Sequence, residues 1–190
     1  MEENLNKTIN KKKIILIISI IAILLGISMF AAFYANKTPI KTSETYLIDN
    51  NFKITINNNL NLNTNKFSDK HIFELHSNND FNLYIDKIEN LDNYSLLLIA
   101  KGDKNYFPET FNSFSNISDI SETTINNFPI SYYNFEYLDA NTNQNYYIQI
   151  NFIKINNNIY TIDVEFPISE KEIFLPIVSD ILSTITTNIK

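Results

Sequence analysis

Two histidines, His71 and His76, are the only imidazoles in the 190-residue chain, and Glu74 lies between them. Residues five apart on a strand leave opposite faces, so these two are not expected to chelate one ion directly. Glu74 and His76 share a face, as a general base and its orienting carboxylate would. No nucleophile or oxyanion site is identifiable beside them, so an exposed polar pair is the expected role and no catalytic residue is assigned. A hydrolase would need Glu74, His76 and Asp163 joined by one pocket. Asp139-Ala-Asn141-Thr-Asn143-Gln144 places oxygen ligands at the first, third and fifth positions of a calcium loop. It lacks the glycine at the sixth, and Ile150 stands where a bidentate glutamate would close the shell, so a metal-free hairpin loop is expected.

Composition narrows the chemistry further. The chain has no cysteine, arginine or tryptophan, and its only glycines are Gly26 and Gly102. Disulfides, thiolate metal sites, glycine-rich phosphate loops and dinucleotide fingerprints are therefore excluded, and no cofactor is expected. What remains is tyrosine. Tyr132, Tyr133, Tyr137, Tyr146, Tyr147 and Tyr160 concentrate aromatic area in one stretch of alternating residues. Those facing a helix become core. On the opposite face Tyr132 and Tyr147, with Ile130 and Ile153, form a partner surface if left uncovered, or become core if the central helix covers them.

Ile14 to Ala35 contains no charge and carries thirteen Ile, Leu and Phe residues. Twenty-two helical residues at about 1.5 Å each reach roughly 33 Å, enough to cross a hydrocarbon layer of about 30 Å. Lys7, Lys11, Lys12 and Lys13 precede this run, and only Lys37 and Lys41 follow it closely. That bias predicts a cytoplasmic amino terminus and a single-pass cell-membrane protein. Small residues fit poorly at cleavage positions, because Phe33 lies two before Ala35 and Phe30 two before Ala32, so an uncleaved signal-anchor is expected. The resulting organisation is a cytoplasmic tail at 1–13, a transmembrane helix at 14–35, a polar linker at 36–45 and an extracytoplasmic domain at 46–190.

From Ile40 onward nineteen acidic residues face ten lysines, a net charge of −9, which opposes nucleic-acid binding. Phe52-Lys-Ile54-Thr-Ile56, Phe73 with Leu75, and Leu83 with Ile85 alternate with period two, the last two separated by a turn at Asn78-Asn79-Asp80. Three later segments, around Tyr133–Tyr137, Tyr146–Phe152 and Ile162–Phe166, read as a meander. Its turns fall at Asp139 to Asn145 and Asn156-Asn157-Asn158, where asparagine supplies the positive φ that glycine normally would. Ile153 and Ile155 break the phase after Phe152, which implies a bulge or a strand covered on both faces. Asp92 is expected to cap a helix carrying Tyr94, Leu97 and Leu98 and ending near Gly102 or before Pro108. Ser169 and Glu172 form a capping-box pattern ahead of the stripe Phe174, Ile177, Val178, Ile181, Leu182 and Ile185, with the main helix starting near Leu175 so that Pro176 falls in its first turn. The fold class is α+β: a transmembrane helix, then an antiparallel sheet of about six strands packed by a central and a C-terminal helix.

The opening Phe52–Ile56 strand, the central helix, Phe128-Pro-Ile-Ser-Tyr-Tyr133 entering a long strand, and Tyr160-Thr-Ile-Asp-Val-Glu-Phe-Pro167 running into a last helix resemble, in that order, the PsbP-type fold. The resemblance covers roughly residues 46 to 187. Members of that superfamily work mainly by binding and assembly, so it implies a non-enzymatic module whose partner is another membrane or envelope protein. An NTF2-like or cystatin-like component of an envelope secretion complex is the alternative, although there the long helix would precede the strands.

Overall fold

Period-two alternation decides most of the architecture. The computed structural model describes residues 43–57, 60, 62–63, 70–89, 93–111 and 113–187. The tail at 1–13, the apolar run at 14–35 and the linker as far as residue 42 lie outside them, and no helix among the described residues is long and apolar enough to cross a membrane. The strands are β1 (Ser43–Ile48), β2 (Phe52–Asn57), β3 (Leu62–Asn63), β4 (Phe73–Ser77), β5 (Asn82–Ile88), β6 (Ser121–Ile125), β7 (Phe128–Asp139), β8 (Gln144–Ile155), β9 (Asn158–Pro167) and β10 (Thr186–Thr187). Helix α1 (Leu96–Tyr106) joins the two halves of the strand series, and α2 (Lys171–Ser183) follows the last long strand.

These strands make two antiparallel sheets. The larger has seven strands in the order β3-β4-β5-β9-β8-β7-β6, and the smaller three in the order β1-β2-β10. The small sheet is a finding that the sequence did not announce. Ser43, Glu44 and Thr45, read as the end of the linker, form the first half of β1, while β10 has only two residues. Phe52, Ile54 and Ile56 point from β2 into a core shared with Leu75, Leu83, Ile162 and Phe166 of the large sheet and with Phe174, Val178 and Ile181 of α2. The small sheet and α2 thus cover one face of the large sheet, the lower face below. On the other, upper face α1 covers a second cluster that includes Tyr133, Phe135, Ile148, Ile150 and Phe152.

The strands β8 and β9 lie at the centre and are apolar on both sides. The pairing of β8 with β7 and with β9 keeps one constant register throughout, so Ile153 and Ile155 mark a doubly covered strand rather than a bulge. Asparagine takes the place of glycine in the turns: Asn126, Asn127, Asn143 and Asn156 have φ of 49°, 68°, 54° and 55°. Asp139 ends β7 by accepting at Oδ1 from the backbone N–H of Asn141 (2.9 Å) and at Oδ2 from the Thr142 hydroxyl (2.9 Å), so its loop is organised by its own side chain.

Both helix starts differ from expectation. Ser95 caps α1, accepting from the Leu98 N–H at 3.2 Å, and the helix runs through Gly102 to Tyr106 before Pro108 stops it. Leu96 and Ala100 are buried against the sheet, whereas Tyr94 and Leu98 are exposed. At the second helix a 3₁₀ turn, Ile168–Glu170, precedes Lys171, and Glu170 occupies the cap position without a side-chain bond, so no capping box forms from Ser169 and Glu172. Pro176 lies inside α2 rather than in its first turn. It is exposed, so the donor it lacks belongs to the solvent side of the helix, where water can satisfy the orphaned carbonyl.

Candidate functional site

On the lower face, α2 does not reach the far strands completely. Between it and β6, β7 and β8 opens a cleft of about 200 Å³. Strand alternation supplies its floor, with Ile130 and Tyr132 from β7 and Gln149 and Asn151 from β8. Leu175, Val178, Ser179 and Leu182 of α2 form its wall, and Thr123 and Ile125 of β6 its rim. None of these ten residues is charged, although the domain as a whole is strongly acidic.

A buried polar relay crosses the floor. Asn151, only 1% exposed, donates to the Ile162 carbonyl at 2.8 Å and accepts from Gln149 Nε2 at 2.8 Å. Buried amides need such partners, and these two satisfy each other. Tyr147 lies further along, its hydroxyl 3.4 Å from Gln149 Oε1, and Lys171 stands 4.3 Å over its ring. Burial, with the neighbouring Tyr132 and Glu136, pushes the Tyr147 phenol up to about 12. It is therefore a neutral donor at physiological pH.

Of the four residues expected to form a partner surface, Ile130, Tyr147 and Ile153 are buried, and what covers that face is α2 with the small sheet, not the central helix. Tyr132 alone reaches the surface, half-buried, and meets Ile130 in the cleft. Gln149 and Asn151 were missed. Their signal was present, since two amides alternate along an otherwise apolar strand, but it is the same signal that a solvated sheet face gives.

The upper face carries the titratable groups. His71 precedes β4, so the alternation rule does not govern it, and both imidazoles pack on Tyr84, with ring centroids 4.8 Å away for His71 and 5.8 Å for His76. They share one side of the sheet, contrary to the expectation from their spacing. His71 Nδ1 meets Asp86 at 2.7 Å, while His76 bonds Asn82 through Nδ1 at 2.6 Å and Glu74 through Nε2. Both nitrogens of His76 are thus engaged. Burial pulls its pKa down, but the bonds with Asn82 and Glu74 and the charges of Glu74 and Glu165 outweigh that, and the net shift is upward.

Asp163 pairs across the sheet with Tyr84, and its Oδ1 is buried without a hydrogen-bond partner. Burial first, then the charges of Asp103 and Asp86, hold its carboxyl well above the usual range. Asp103 is also raised, by burial, although it accepts from the Tyr133 hydroxyl at 2.6 Å. Neither of the clefts beside β6 is lined by Glu74, His76 or Asp163, and no group of three or more metal-ligating side chains forms among the described residues.

An antiparallel sheet with a long meander, one helix on each face and a small accessory sheet defines the class: an α+β domain with helices on both sides of its sheet. Within that class the fold is PsbP-like. The structure is similar to the cyanobacterial PsbP protein CyanoP of Synechocystis sp. PCC 6803 at a TM-score of 0.54 and 11% identity, over 80% of this chain and 95% of that one. LpqN of Mycobacterium tuberculosis, involved in cell envelope biogenesis, superposes at a TM-score of 0.51 and 8% identity, over 80% of this chain and 87% of its own. PA94 of Pseudomonas aeruginosa, a protein of unknown function, matches at 0.50 and 6%, over 78% and 99%. No protein-family profile matches the sequence, and no curated protein matches it either.

Proposed function

We propose that the chain is a non-catalytic binding or assembly module, tethered by residues 14–35 in the cell membrane with its PsbP-like domain on the extracytoplasmic side. The observation that carries the reading is the wholly uncharged cleft beneath α2, set in a domain of net charge −9 and floored by amides and a tyrosine, which suits a neutral partner. The likeness to LpqN, a protein involved in cell envelope biogenesis, supports an envelope setting. Tethering confines the module to a thin layer and so raises its effective concentration toward neighbouring membrane proteins.

The test is crosslinking in intact cells followed by purification of the full chain, alongside protease treatment of the cell surface. A stoichiometric companion whose capture falls when Ser179→Phe fills the cleft, together with external digestion of the domain, is the expected result. Protection of the domain from protease, or the absence of any companion, would defeat the proposal.

A further inference from the structure

The outermost strand of the large sheet, β6, pairs with no strand along its outer edge among the described residues, and a cleft flanks it on each face. On the lower face Thr123 and Ile125 form the rim of the 200 Å³ cleft against α2. On the upper face Glu122 and Thr124 border a shallower cleft of about 550 Å³ toward Ser95 and Lys154. Ile125 borders only the lower cleft and Glu122 and Thr124 only the upper one, while Thr123 and its cross-strand partner Ile130 border both.

The hairpin fixes which backbone groups stay unpaired. Asn126 and Asn127, both at positive φ, make a two-residue turn closed by Ile125 opposite Phe128. In such a ladder the closing pair and every second pair beyond it exchange hydrogen bonds, so Ile125, Thr123 and Ser121 bond to β7. Glu122 and Thr124 then turn both N–H and C=O outward. Pro129, which has no N–H, stands opposite Thr124, a position where none is needed. Of the devices that guard natural edge strands, β6 has only its short length and the single charge of Glu122, with no lysine or proline of its own.

We propose that the β6 edge is a strand-addition site for an extended, uncharged peptide segment of a partner protein, whose alternate side chains enter the two clefts. Backbone pairing to Glu122 and Thr124 supplies the register. The lower cleft, without charge, selects apolar or small polar side chains, while Glu122 and Lys154 of the upper cleft offset one another and exclude a strongly charged segment. A second copy of the chain fits poorly. Pairing along five residues, an edge of roughly 17 Å, cannot by itself bury the roughly 800 Å² per partner that a stable dimer demands, whereas a peptide adds the clefts to its contact.

The site refines the binding-module reading and rests on it. The experiment pans a random peptide library displayed on phage against the full chain in detergent micelles, then measures amide exchange with synthetic copies of the enriched sequences. Expected are uncharged sequences with apolar residues at every second position, slowed exchange at the Glu122 and Thr124 amides, and affinity lowered at least about tenfold by Thr124→Pro. That proline removes an outward donor and leaves the β7 ladder intact, and exchange on the unmodified chain gives an answer even if the variant folds poorly. Enrichment of nothing, binding indifferent to Thr124→Pro with no protection at those amides, or a dimer of the chain that Thr124→Pro dissolves would each overturn the proposal. If a cellular companion crosslinks equally to wild type and Thr124→Pro, the module reading stands and the edge site falls.

Discussion

The two faces of the seven-stranded sheet solve the problem of burial differently. The lower face is, apart from the Gln149–Asn151 relay, mainly hydrocarbon, with Phe166 packed among Tyr147 at 5.1 Å, Phe174 at 5.3 Å and Phe81 at 6.2 Å between ring centroids. The upper face is hydrocarbon only beneath α1, and beyond it Glu74, Tyr84, Asp86, Asp163 and Glu165 form a layer of carboxylates and phenols. Hydroxyls donate to carboxylates there, as Tyr133 does to Asp103 and Tyr137 to Glu165. One face gains stability from apolar area, and the other tolerates buried charge by pairing most of it. Asp163 is the residue the pairing leaves out.

The largest effect should come from the lower face. Phe166→Ala is expected to destabilise by about 3–5 kcal/mol, against about 2–3 kcal/mol for Leu96→Ala on the upper side, read from urea midpoints at constant slope. Equal losses would mean that the contrast between the faces is one of composition only.

Asp163→Asn comes next, and it should stabilise by about 1–3 kcal/mol at neutral pH, because it removes a carboxyl that the folded state holds away from water without a partner for Oδ1. The sign with pH follows from the raised carboxyl. Its favourable contribution to the wild type is complete below about pH 4, where the group is protonated folded and unfolded alike, and is lost as pH rises through the folded-state value. The advantage of the variant must therefore shrink on acidification. An advantage that grows toward acid would refute the assignment.

Gly102→Ala should add about 0.5–1 kcal/mol, since Gly102 lies inside α1 and an added methyl would meet nothing within 4 Å. A loss of stability would show that α1 needs its freedom there. The smallest effect is a titration. NMR of the His76 ring should give a pKa above its ordinary value, falling in Glu74→Gln, and the stability it contributes should fade as pH rises through that raised value. An unchanged midpoint in the variant would exclude Glu74 as a cause.

Much of this was legible in the sequence because the period-two signal is local. The hairpin of β4 and β5 and the meander β7 to β9 follow from which residues alternate, while the phase break after Phe152 fitted a bulge as well as double coverage until the constant register of β8 decided it. The small sheet did not show, since β1 reads as a polar linker and β10 is too short to alternate, and both depend on pairing with β2 from distant parts of the chain. Helix starts misled for a similar reason. Ser169 and Glu172 have the right spacing for a capping box, yet β9 delivers the chain into a 3₁₀ turn that places Glu170 at the cap. The cleft residues Gln149 and Asn151 were unreadable as a site because sequence does not say that α2 lies across them.

Asn126 joins these pieces mechanically. Its backbone turns the β6–β7 hairpin, and its side-chain amide donates to the carbonyls of Ser183, the last residue of α2, at 2.5 Å and of Ile185, just beyond it, at 3.1 Å. Glycine would make the same turn with less strain but would sever that strut. The hairpin and the last helix are thereby riveted at one corner, so the gap between them is set at that end by two hydrogen bonds rather than by hydrocarbon contact alone.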